Sequence, residues 1–80
     1  MEIIIKKQAQ KYIDKTAVDI KQKLLDGIHD IASGKGDIIK LAGSDMLRYK
    51  IYHYRILFTV DTEKEQIVIR EINTRSNVKY

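Results

Sequence analysis

Residues 46–60 read Met-Leu-Arg-Tyr-Lys-Ile-Tyr-His-Tyr-Arg-Ile-Leu-Phe-Thr-Val, and the rest of the chain is organised around them. From Leu47 to Ile51 the apolar side chains fall on odd positions, with Arg48 and Lys50 between them, which is the period of two that marks a strand. From Tyr54 the phase reverses. Tyr54, Ile56, Phe58 and Val60 then share one face, and Arg55, Leu57 and Thr59 share the other. A turn at Tyr52-His53 accounts for the reversal. Antiparallel pairing across it sets Tyr54 opposite Ile51, Arg55 opposite Lys50, Ile56 opposite Tyr49 and Phe58 opposite Leu47. One face of this hairpin is core and the other is cationic. Like charges directly across a ladder oppose pairing by roughly 0.2–1 kcal/mol, and no acid lies between Met46 and Val60 to relieve Lys50 and Arg55. Such a conflict is tolerated more readily where the charges meet an anion, although lysine and arginine on a solvated sheet face are also common.

The chain has 80 residues, enough for one domain with a modest core and too few for a deep cleft, so any site lies on a surface or in a shallow groove. A net charge of +4 and a pI near 9.4 fit an acidic partner such as nucleic acid, an acidic protein or a membrane surface. The absence of cysteine excludes thiol catalysis, cysteine zinc sites and disulfides. No apolar run approaches the ~20 residues of a membrane span. The opening Met-Glu-Ile-Ile-Ile-Lys-Lys is too short an apolar stretch for a signal peptide, and the expectation is a soluble, cytoplasmic protein with no membrane partner.

Working outward, Ile3, Ile4 and Ile5 suggest a short buried strand, because β-branched residues fit a pleated surface. Ala9, Ile13, Ala17, Ile20, Leu24, Ile28 and Ile31 recur every three or four residues, the stripe of an amphipathic helix. Asp14-Lys15-Thr16 interrupts the stripe, and Thr16 with Asp19 resembles a capping box. The expectation is a first helix near 7–14 and a second near 17–33. Gly34 is positioned as a left-handed C-terminal cap, Gly34 to Asp37 is a loop, and Gly27 inside the second helix implies close approach of another element. His29 lies beside the stripe with no second His or Cys in ligand register, so it reads as a partly exposed structural residue and no metal site is expected.

Asp37 to Ala42 is a short apolar segment ending in a turn at Gly43-Ser44-Asp45. Thr62 to Glu65 is a polar turn, and Gln66 to Ile72 is a third strand whose apolar run suits the interior of a sheet. The fold class is therefore α+β, in the order β-α-α-β-β-β, with an N-terminal strand and a helical hairpin packed on a twisted, mainly antiparallel sheet. The first strand must join that sheet, and pairing beside the last strand would make a parallel edge.

Gly-Asp-Ile-Ile-Lys-Leu-Ala-Gly (36–43), Leu-Arg-Tyr-Lys-Ile-Tyr-His-Tyr-Arg-Ile-Leu-Phe (47–58) and Ile-Asn-Thr-Arg-Ser-Asn-Val-Lys-Tyr (72–80) resemble the RelE/ParE superfamily of bacterial type II toxins. The likeness runs from Gly34 to Tyr80, with Tyr54-Arg55-Ile56 its most specific part, and the N-terminal helices match in pattern only. The resemblance implies a small fold of two helices against an antiparallel sheet, a cognate antitoxin and, for the RelE branch, cleavage of mRNA on the ribosome by basic residues on the concave sheet face. By position, the family's strand lysines correspond to Arg48 and Lys50, its strand arginine to Arg55, its later arginine to Arg75 and its C-terminal tyrosine to Tyr80. Two departures stand out. Arg48 replaces a lysine and, being always charged, is a poor general base. Tyr52-His53 stands where the family often has a Gly-Asp or similar turn.

Cleavage of this kind needs a base for the 2′-hydroxyl, cations for the phosphorane and an acid for the leaving 5′-oxygen, and no metal or other cofactor. Lys50 is the candidate base, since its like-charged neighbours Arg48 and Arg55 favour its neutral form. Arg55 and Arg75 would stabilise phosphate charge, and Tyr80 would stack on a base or take part in proton transfer. His53, with Arg48, Lys50 and Arg55, completes the expected RNA-binding set, and it is the alternative base, ranked below Lys50 because it lies in the turn. Two other readings share these residues: a ParE-like inhibitor of DNA gyrase, and a basic nucleic-acid-binding domain without chemistry.

Overall fold

The computed structural model describes residues 1–74. The elements are β1 (Glu2–Ile5), α1 (Lys7–Lys15), α2 (Val18–Ala32), β2 (Asp37–Lys40), β3 (Leu47–Ile51), β4 (Tyr54–Asp61) and β5 (Gln66–Thr74). Among the described residues they build a sheet in the order β1-β5-β4-β3-β2 with the helices on one face. The expected α+β fold is present, with one addition. The segment after the glycine loop is itself a strand, β2, paired antiparallel to β3 from Asp37↔Lys50 to Lys40↔Leu47. Four residues are too few to display alternation, so the ladder with β3 defines this strand.

The hairpin register is the expected one: Leu47↔Phe58, Tyr49↔Ile56, Lys50↔Arg55 and Ile51↔Tyr54. β1 runs parallel to β5, Ile3↔Ile67 to Ile5↔Ile69, and so forms the parallel edge. β5 is thereby an interior strand, which explains its apolar run. A bulge between Leu57 and Phe58 shifts the β4–β5 register, since Leu57 pairs with Glu71 and Phe58 with Ile69.

Ala9, Ile13, Leu24, Ile28 and Ile31 from the helical stripe pack on Tyr49, Ile56, Phe58, Ile67, Ile69 and Ile72. Ala17 leaves the stripe because it is the N-cap of α2, and Val60, near the end of β4, stays 39% exposed. The capping box does not form. Thr16 is the C-cap of α1, its N–H reaching Ile13 O at 3.4 Å, so the tight link places Ala17 at the N-cap with no side chain to offer. Asp19 still lies in the first turn, where its charge suits the helix dipole. The other end of α2 closes as expected: Gly34 has φ 70°, its N–H donates to Ile31 O at 3.1 Å, and Lys35 N–H donates to Asp30 O at 2.8 Å.

Gly27 meets the close approach its position implies. A Cβ there would lie 3.0 Å from Cε1 of Tyr49. Gly36, at φ 98°, bounds the same ring, where a Cβ would overlap Cε2 of Tyr49. Two glycines, one inside α2 and one in the loop after it, therefore make the slot for one aromatic side chain. Among the described residues no helix is long and apolar enough to cross a membrane.

Candidate nucleic-acid interface

The sheet face away from the helices carries the cations, because strand alternation sends every second residue there. Register partners share a face, so one row reads Asp37, Lys50, Arg55, Asn73 across β2, β3, β4 and β5. The next row reads Ile39, Arg48, Leu57, Glu71. The expected juxtaposition of Arg48, Lys50 and Arg55 is thus present, and the three differ sharply in environment.

Lys50 is exposed. Arg55 is buried, only 6% exposed, and its Nη1 donates to Tyr54 O at 3.0 Å and Tyr52 O at 3.4 Å. A buried charge needs such acceptors, and they tie Arg55 to the hairpin turn. Arg48 is half-buried. Its Nη2 reaches Asp37 Oδ1 at 3.5 Å, while its buried Nε has no hydrogen-bond partner among the described residues.

The face is not uncompensated, as the acid-free stretch 46–60 had suggested. Asp37 and Glu71 come onto it from β2 and β5, and Glu71 accepts a hydrogen bond from Asn73 Nδ2 at 2.7 Å. Lys50 lies between Arg55 on one side and Asp37 on the other, so its like-charged neighbours Arg48 and Arg55 are opposed by a carboxylate that the hairpin sequence does not contain. Sequence reasoning missed both acids, and also Asn73. The faint signal was the alternation in Glu71-Ile72-Asn73, too short to assign a face before the ladder is known, and Asp37-Ile38-Ile39-Lys40 does not alternate.

Beside this row lies an open groove of about 490 Å³ floored by Ile39, Leu41, Met46 and Leu57, with Arg48 and Glu71 among its lining. Leu57, expected on the cationic face, is on it and is buried there. An apolar floor with a charged rim can accept a flat or apolar group while the rim orients a phosphate.

The turn lies at the tip of the hairpin, where its side chains meet the helices. Tyr52 has φ 53° and is 62% exposed, with Lys23 Nζ from α2 lying 4.4 Å from its ring centroid. His53 is exposed and its ring centre lies 6.3 Å from that of Tyr54, which itself meets Tyr12 of α1 edge-on at 6.3 Å. Burial, and secondarily Tyr54, raises the Tyr12 pKa. Arg75 and Tyr80 lie outside the described residues. Among the described residues no group of three or more His, Asp or Glu side chains is arranged to hold a metal ion.

No protein-family model matches the chain, and no curated protein does. Solved structures do. The archaeal RelE of a RelE–RelB complex from Pyrococcus horikoshii OT3 superposes with a TM-score of 0.77 at 23% identity, over 96% of this chain and 97% of that one. The isolated E. coli RelE toxin gives a TM-score of 0.79 at 18% identity, over 98% of this chain and 87% of that one. The intact E. coli RelBE toxin–antitoxin complex gives 0.76 at 20% identity, over 91% and 94%. At these identities the likeness establishes the fold: the chain has the α+β fold of RelE toxins.

Proposed function

We propose that this chain is the toxin of a type II toxin–antitoxin pair, a single cytoplasmic domain that cleaves ribosome-bound mRNA without a metal. The observation that carries the reading is the Arg48–Lys50 face: a guanidinium whose buried Nε has no partner among the described residues, beside an exposed amine, on a fold that overlaps RelE over nearly its whole length. A buried N–H donor left unpaired costs about 1–3 kcal/mol, and a phosphate oxygen is the ligand that suits a guanidinium.

In this reading the 2′-hydroxyl gives its proton to a base and attacks phosphorus. The bond from phosphorus to the 5′-oxygen then breaks, and that oxygen takes a proton from an acid. Lys50 is assigned to proton transfer and Arg48 to the phosphorane charge, while Arg55 anchors the turn that shapes the face and adds its charge from beneath. Arg75 as a further phosphate ligand and Tyr80 as a stacking or proton-transfer group belong to the same proposal. A shallow surface of this size cannot by itself bend a strand for in-line attack, so the ribosome supplies the geometry.

Two of the neighbouring RelE structures are complexes with RelB, and by analogy this chain has a cognate antitoxin that covers the basic face and neutralises it. A segment folding on binding can cover a large surface from a short sequence. The deciding experiment incubates the purified protein with translating ribosomes, with naked RNA and with DNA gyrase. Cleavage on ribosomes with little on naked RNA supports the proposal. Efficient metal-dependent cutting of naked RNA, or gyrase inhibition without cleavage, removes it. In parallel, the short protein encoded beside this one should co-purify with it and abolish its activity.

A further inference from the structure

Tyr52 takes a backbone conformation that a tyrosine rarely adopts. Its φ of 53° lies in the left-handed region, where a Cβ crowds the following carbonyl and which glycine or asparagine enters far more easily. A turn at this position needs no aromatic ring, yet one is present and 62% exposed. Such a residue persists only where its surroundings hold it, and here both its parts are held. Arg55 Nη1 binds its carbonyl oxygen at 3.4 Å, and Lys23 Nζ stands 4.4 Å from its ring centroid. The turn follows the Lys50–Arg55 pair by one further pair, Ile51 and Tyr54, so the ring stands at the tip of the hairpin, on the side that faces Lys23 of α2.

We infer that Tyr52 is a stacking platform for a nucleobase of single-stranded RNA, held at the hairpin tip just beyond the cationic face, its carbonyl on Arg55 and its ring beside Lys23. Single-strand binders combine cations that track the backbone with aromatic rings on which bases lie, because every base offers a flat face. Lys23 contributes twice, orienting the ring and adding a positive charge beside it. The unusual backbone is then the means of presenting a rigid ring outward from a two-residue turn. This assignment rests on the RNA reading above and adds a contact that the reading does not require.

The test is the affinity of the full chain for a short labelled single-stranded RNA oligonucleotide at low salt, by fluorescence anisotropy, together with the melting temperature. Tyr52→Gly suits the backbone and deletes the ring. It is expected to melt no lower than wild type and to bind about tenfold more weakly, whereas Tyr52→Phe binds as wild type does. Because a residue kept only for structure would lower stability and binding together, the opposed behaviour is diagnostic. Equal affinity in Tyr52→Gly and wild type overturns the inference, as does equal weakening in Tyr52→Phe. If Tyr52→Gly fails to fold, Tyr52→Asn against Tyr52→Phe decides in the same way. Wild-type protein that does not bind the oligonucleotide at all also overturns it, while the ribosome assay judges the broader reading separately.

Discussion

The Tyr49 hydroxyl donates a hydrogen bond to Asp30 Oδ2 at 2.9 Å, joining β3 to the last turn of α2. Tyr49 is the residue between Arg48 and Lys50, so this bond, on the core side, fixes the strand that presents both cations on the other side. Burial first, and then the carboxylate as hydrogen-bond acceptor and as charge, pushes the Tyr49 pKa up from 10.0 to about 12. The unfolded chain loses this proton earlier than the folded one as pH rises. Stability from Tyr49 is therefore complete below pH 10.0 and is lost as pH climbs to about 12. Urea unfolding across that range should show a steeper loss in wild type than in Tyr49→Phe. At neutral pH, Tyr49→Phe should cost about 1–2 kcal/mol, because Asp30 loses its partner.

The slot around the Tyr49 ring should make glycine substitutions rank in a defined order. Gly36→Ala meets both an unfavourable φ of 98° and the ring itself, and should cost about 2–4 kcal/mol. Gly34→Ala, with φ 70° and open space around it, should cost about 1 kcal/mol. Chemical denaturation of the two variants gives the comparison, and equal losses would mean that the ring moves aside freely.

Arg55 and Lys50 face each other and should separate by phenotype. Arg55→Ala removes the guanidinium that holds the turn carbonyls, and should lower stability by about 2 kcal/mol. At a temperature where the variant is folded, it should reduce ribosomal cleavage more than ribosome binding. Lys50→Ala, on an exposed side chain, should change stability by less than about 0.5 kcal/mol while abolishing cleavage. Equal losses of cleavage and binding in Arg55→Ala would make Arg55 a docking residue.

Asp37 should act as a brake on anion binding. Its contact with Arg48 is partly solvated, so Asp37→Asn should cost at most about 1 kcal/mol in stability. Freed of that carboxylate, the face should bind single-stranded RNA up to about fivefold more tightly, with a steeper dependence on salt. Titrations of both proteins over a salt series measure this, and unchanged affinity would show that the RNA does not approach Arg48.

The sequence by itself determined the period-two runs at 47–51 and 54–60, the turn between them and the register that sets Lys50 against Arg55. It also determined the helical stripe that covers their apolar face and the glycine at the end of α2. These are local properties, set by alternation, helical spacing and backbone freedom within a few residues. Tertiary structure decided what the cations meet. Asp37 and Glu71 reach the same face from strands outside the hairpin, and Arg55 is buried on turn carbonyls while Lys50 beside it stays exposed. Whether a charge is balanced depends on groups brought within a few ångströms by folding, because Coulomb energy follows distance in space and local dielectric rather than separation along the chain.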